Sequence, residues 1–99
     1  MSLDKLVAKY IASADRVFNE ITLVDGVVGF SVDEVRRVLE LAKAYLQDAK
    51  YYRDAGKLEV SLASVAYCEG LLDALKMLGM VRFEWPKGKK GKSMEESER

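Results

Sequence analysis

Gly56 interrupts an otherwise continuous helical pattern, and that interruption dictates the centre of the fold. Before it, Val35, Val38, Leu39, Ala42, Tyr45, Leu46, Ala49 and Tyr52 recur at three- and four-residue spacing, the apolar stripe of an α-helix. After it, apolar and small residues run from Leu58 to Leu78. Glycine commonly sits just past a helix end, because it takes a left-handed backbone without a Cβ clash. Hardly any chain remains for a connection, so the helix after Gly56 must fold back antiparallel on the one before it. Gly79 marks a second such end; Met80 is placed to pack back on Leu75, and Lys76 in the last turn suits the helix dipole.

The first helix of this pair has an explicit start. Ser31 and Glu34 form a capping box, in which each side chain satisfies a free backbone amide at the other's position, with Phe30 and Val35 at the flanking staple positions. Upstream, Leu3, Leu6, Val7, Tyr10, Ala14, Val17, Phe18 and Ile21 form another stripe, with Lys5, Lys9, Asp15, Arg16, Asn19 and Glu20 opposite and Ser2 as a candidate N-cap. Residues 25–30 (DGVVGF) connect it to the capping box through Gly26 and Gly29. The expected fold is all-α: an antiparallel up-down three-helix bundle with helices over about 2–23, 32–55 and 58–78, forming one domain over residues 1–86. Residues 81–86 (VRFEWP) read as a short extended segment lying against the bundle, since Trp85 precedes Pro86. Residues 87–99 lack apolar periodicity and read as a flexible, disordered basic tail.

Composition limits what such a bundle can do. Hydrophobic residues make up 49% and charged residues 32%, a globular balance, and the net charge is zero, so no overall field draws the protein to nucleic acid or membrane. One cysteine, Cys68, excludes an intrachain disulfide and fits a reducing compartment. The opening MSLDKLVAKY is charged from Asp4 and does not read as a signal peptide, and no apolar run approaches the ~20 residues of a membrane span. The expected location is cytoplasmic. A charge-rich chain with only Asn19 and Gln47 as amides hints at a thermophilic source.

The helix after Gly56 is unlike the other two. On a wheel of 100° per residue, its charged residues Glu59, Glu69, Asp73 and Lys76 fall within about 100° of one another. Almost everything else is apolar or small. Val60, Val65, Leu71, Leu72, Leu75 and Leu78 form a broad face of large residues, and Ala63, Ala66, Gly70 and Ala74 form a stripe of small ones. Packing between the other two helices accounts for part of this surface. The surplus is expected to be an interface, either between copies of the chain or with a protein partner. Tyr51 joins the small stripe as a candidate contact, because it falls on the polar side of its helix, where core packing does not call for it.

Catalytic chemistry has little to work with. No histidine is present to activate a serine, cysteine or tyrosine, a zinc site has only one isolated cysteine to be made from, and Cys68 reads as a buried small hydrophobe. No cofactor is expected: the glycines of residues 25–30 make neither a P-loop nor a dinucleotide fingerprint. Tyr45, Asp48, Tyr52, Tyr67, Glu69 and Asp73 make a candidate ligand edge, in which phenols and carboxylates would bind a small ligand, or equally bond one another as structure. Lys87, Lys89, Lys90 and Lys92 are candidate phosphate contacts for nucleic acid, a reading weakened by Glu95, Glu96 and Glu98 close behind them.

The stretch AKAYLQDAKYYRDAGKLEVSLASVAYCEGLLDALKMLG, residues 42–79, resembles a family of short archaeal proteins known as domain of unknown function 357. The likeness rests on Tyr45, Asp48, Ala49, Tyr52 and Gly56, then on Tyr67, Gly70, Leu71, Leu72, Asp73, Ala74, Leu75, Leu78 and Gly79. Cys68 stands where the family commonly has alanine. The resemblance implies an archaeal helical protein with no assigned activity, and it carries over no catalytic residue. The function expected from residues and resemblance together is a noncatalytic, self-associating interaction module. A small-ligand or nucleotide-binding accessory role is the alternative, and nucleic-acid binding through the tail is weaker.

Overall fold

The computed structural model describes residues 2–25 and 31–86. Three helices dominate: α1 (Leu3–Glu20), α2 (Val32–Asp54) and α3 (Leu58–Met77). Two short strands, β1 (Thr22–Leu23) and β2 (Val81–Arg82), pair antiparallel with Thr22 opposite Arg82 and Leu23 opposite Val81. Because β1 follows α1 and β2 follows α3, the C-terminal ends of those two helices lie together. α1 and α3 therefore run one way, and α2 runs the other.

The helix ends form as local chemistry dictates. The Ser31 hydroxyl accepts from the Glu34 amide at 3.0 Å, and Glu34 Oε1 accepts from the Ser31 amide at 3.0 Å, closing the capping box. Phe30, its expected staple partner, and both connecting glycines lie outside the described residues. Gly56 and Gly79 have φ of +79° and +78°. At the first, the Lys57 amide donates to the Tyr52 carbonyl (2.8 Å) and the Gly56 amide to the Arg53 carbonyl (3.1 Å). At the second, Met80 donates to Leu75 (2.9 Å) and Gly79 to Lys76 (3.0 Å). Both are the paired bonds of a Schellman ending, which satisfy carbonyls that the helix leaves free. The Lys57 carbonyl accepts from the Ser61 amide at 3.0 Å, so the residue that closes α2 also opens α3.

Two expectations change at α1. It ends at Glu20, not Leu23: Ile21 is extended, and Thr22 and Leu23 are drawn into the strand pair. β-branched Ile21 and Thr22 suit that conformation. At the other end, Ser2 occupies the cap position but its hydroxyl donates to Asp4 Oδ1 (2.5 Å) and caps no amide. The same Asp4 oxygen accepts from the Lys5 amide, and these two bonds hold the Asp4 carboxyl below its usual range.

The core takes a layer from each helix. Val7, Ile11, Ala14 and Val17 meet Val35, Ala42, Leu46 and Ala49 and the α3 residues Val65, Cys68, Leu72 and Leu75. Ser61 is fully buried where α2 and α3 converge and donates to the Ala49 carbonyl at 2.6 Å, so its hydroxyl enters the core satisfied. The segment after α3 closes the bundle: Met80, Val81, Phe83 and Trp85 are all buried. Among the described residues, no helix is long and apolar enough to cross a membrane.

Candidate interaction surface

The six residues of the tyrosine–carboxylate edge divide between two sides of α3. Tyr45 of α2 meets Tyr67 of α3 edge to face, with ring centroids 4.5 Å apart. Asp48 is exposed, and Tyr52 packs against Tyr51 at 5.2 Å. Glu69 and Asp73 project from the other side of α3, since Tyr67 and Glu69 differ by about 160° on a helix of 3.6 residues per turn. There Asp73 Oδ1 accepts a 2.6 Å hydrogen bond from Trp85 Nε1, and Lys76 lies 4.9 Å from the Phe83 ring centre and 3.6 Å from Glu84. Asp73 thus anchors the closing segment. Among the described residues, no three acidic or thiol side chains gather as cation ligands.

Cys68 lies in the core between the two sides. Burial, reinforced by the nearby carboxylates of Glu69 and Asp15, pushes its thiol up to about 12. A group in that state is protonated at neutral pH and is a poor nucleophile. Asp15 itself accepts from Lys50 at 2.8 Å, a bridge that fastens α1 to α2.

The outer face of α3 has a different character. Ala63, Ala66, Gly70 and Ala74 are all exposed, so the small stripe is not consumed by packing inside the chain. Large apolar residues border it: Val60 is 45%, Tyr67 52%, Leu78 58% and Met77 86% exposed. Toward α2 the face runs into an apolar cleft of about 390 Å³ lined chiefly by Val35, Val38, Leu71, Ala74, Leu75 and Leu78, with Met80 at its base and Glu34 at its rim. Leu41, on the same flank of α2 as Val38 and Tyr45, is 46% exposed. Glu59 is exposed on the outer face of α3, and Asp73 borders that face about 20° from Ala66.

Gly70 is the least expected component of this face. Its backbone is helical with negative φ, and a Cβ built on it would meet nothing within 4 Å. A helix-interior glycine costs ~1 kcal/mol relative to alanine, and no contact within the chain calls for it. Tyr51, 67% exposed, stands apart from the stripe, about 120° around α2 from Tyr45. On the sequence pattern alone, Val60, Leu71 and Leu78 share a single broad face with the core residues Val65, Leu72 and Leu75. The structure turns Val65, Leu72 and Leu75 inward and leaves Val60 and Leu78 in solvent. The wheel carries a signal for this split, since Val60 and Leu78 lie about 100° or more from the mean direction of Val65 and Leu72. Lys87, Lys89, Lys90 and Lys92 lie outside the described residues.

Comparison with curated proteins and with solved structures finds no match to this chain. The pattern of one family does match: that of a protein of unknown function, DUF357, aligns with residues 9–81, which take in most of α1, all of α2 and α3, and the start of β2. The match spans well over half of the sequence, and the chain belongs to the DUF357 family.

Proposed function

We propose that this protein is a noncatalytic helical interaction module that associates with itself through the outer face of α3. The observation that carries the proposal is the exposure of that face: Val60, Ala63, Ala66, Tyr67, Gly70, Ala74, Met77 and Leu78 form an apolar surface on one helix, with Glu59 within it and Asp73 at its edge. Contiguous apolar patches of this kind mark sites of contact with other macromolecules, because leaving them in water forgoes the burial that drives association. The noncatalytic part rests on chemistry: the sequence has no histidine, and its single thiol is buried and protonated. Ligand capture at the tyrosine–carboxylate edge would need Tyr67 and Glu69 to meet around the body of α3, which favours the interaction reading.

Light scattering on the full chain from micromolar to millimolar concentration tests this. The expected result is a mass approaching twice that of the monomer, reduced to one monomer by Ala66→Glu with the helical circular dichroism unchanged. Ala66 is exposed, so the substitution leaves the core intact. A wild-type mass of one monomer throughout, or an Ala66→Glu protein that associates as before, would refute the proposal.

A further inference from the structure

Resting on the self-association reading, we infer that two copies pair α3 against α3 in antiparallel orientation about a two-fold axis near the level of Cys68, with Tyr67 of each copy seated over Gly70 of the other. The small residues are placed for such a pairing. α3 spans Leu58–Met77, and Ala63, Ala66, Gly70 and Ala74 are distributed almost evenly about its midpoint. An antiparallel partner therefore sets Ala63 opposite the second copy's Ala74, and Ala66 opposite its Gly70. A two-fold interface requires one patch to complement itself in this way.

Shape favours the same orientation. The exposed half of Tyr67, whose ring packs edge to face on Tyr45, stands beside Gly70, which has open space where a Cβ would stand. Antiparallel pairing brings the protrusion of one copy over the depression of the other, whereas parallel pairing sets tyrosine beside tyrosine and glycine beside glycine. Charge favours it too. Antiparallel pairing holds the two Glu59 carboxylates about 27 Å apart along the helices, while parallel pairing sets them side by side. Antiparallel helix dipoles also attract.

Area agrees with a second copy as the occupant. α3 is about 30 Å long, and with the adjoining flank of α2 it offers about 20 Å of width, roughly 600 Å² in projection. A stable interface buries about 800 Å² of accessible surface per partner, the same scale once the relief of the side chains is counted. The cleft lined by Val38, Leu71 and Leu78 lies along this flank, where the two α2–α3 hairpins would meet as a four-helix layer.

Mixed disulfide trapping tests the register. A chain carrying Ala66→Cys and a chain of different tag length carrying Gly70→Cys are mixed in equal amounts and oxidised mildly; the native Cys68 is fully buried and does not compete. The antiparallel register predicts crosslinked heterodimer in at least about five-fold excess over either homodimer, because unlike positions lie level with each other while like positions are offset by about 6 Å along the helices. The pair Ala63→Cys with Ala74→Cys repeats the test away from the tight centre and is expected to give the same excess. Homodimers in excess, a statistical mixture, or no crosslink in a protein that light scattering shows to be dimeric would overturn the inference and leave the self-association reading standing. A monomeric wild-type protein would overturn both.

Discussion

Replacing Gly70 with alanine separates the stability of the single chain from the stability of its association, and the two should move in opposite directions. In the single chain the substitution meets no obstacle. The backbone is already helical, φ is not positive, and the added methyl has nothing within 4 Å. The gain is then the intrinsic helix preference, about 1 kcal/mol. For a domain of this size that corresponds to a rise in melting temperature of about 4–8 °C. In the proposed antiparallel pair, the same methyl would sit where Tyr67 approaches. Overfilling a close contact costs about 1–3 kcal/mol, which raises the dimer dissociation constant by about five- to 150-fold. Urea denaturation followed by circular dichroism, at dilutions where light scattering gives one monomer mass, reads the first effect. Sedimentation equilibrium reads the second. A Gly70→Ala protein that is less stable as a monomer would refute the claim that no contact within the chain requires the glycine. One that associates as tightly as wild type would refute the claim that the glycine serves association.

Two further outcomes test the core. Trp85→Phe removes the indole donor to Asp73 while keeping an aromatic ring, and is expected to lower stability by about 1–3 kcal/mol; Asp73→Ala combined with it should cost less than the sum of the two singles, as read by urea denaturation with circular dichroism. Cys68 should react with a thiol reagent at pH 8 only as fast as the chain opens, and far faster in denaturant. Its folded pKa, about 12, stands above its ordinary value of 9.0, so the unfolded chain loses this proton first as pH rises. The stability it supports is therefore full below about pH 9 and is lost between there and about pH 12, and Cys68→Ala should flatten that part of the denaturation profile.

Local signals in the sequence translated directly into structure. Ser31 and Glu34 lie three residues apart and need only each other, so the capping box forms as read. Gly56 and Gly79 likewise carry their endings within a few residues, and the short Gly56 turn leaves α2 and α3 no arrangement but antiparallel. What escaped the sequence depended on distant partners. Nothing near Glu20 stops α1; the helix yields because Thr22 and Leu23 find Arg82 and Val81, which only the finished fold brings close. The Trp85–Asp73 bond is of the same kind: the indole was foreseeable as a group in need of an acceptor, but the acceptor was not. At the candidate site, the wheel alone separates Tyr67 from Glu69 and picks out the small stripe. It could not show that α1 and the closing segment cover the charged side of α3 and leave the small side in solvent, because that depends on where the neighbouring elements dock.

The central claim is that the outer face of α3 is where this chain meets its own copy. Backbone amide resonances followed on dilution from millimolar to micromolar concentration test it residue by residue. Ala63, Ala66, Tyr67, Gly70 and Ala74 should shift or broaden in concert as the copies separate, while solvent-facing residues of α1 such as Lys9 and Arg16 stay fixed. Spectra that do not change with concentration, or changes confined to α1, would contradict the account.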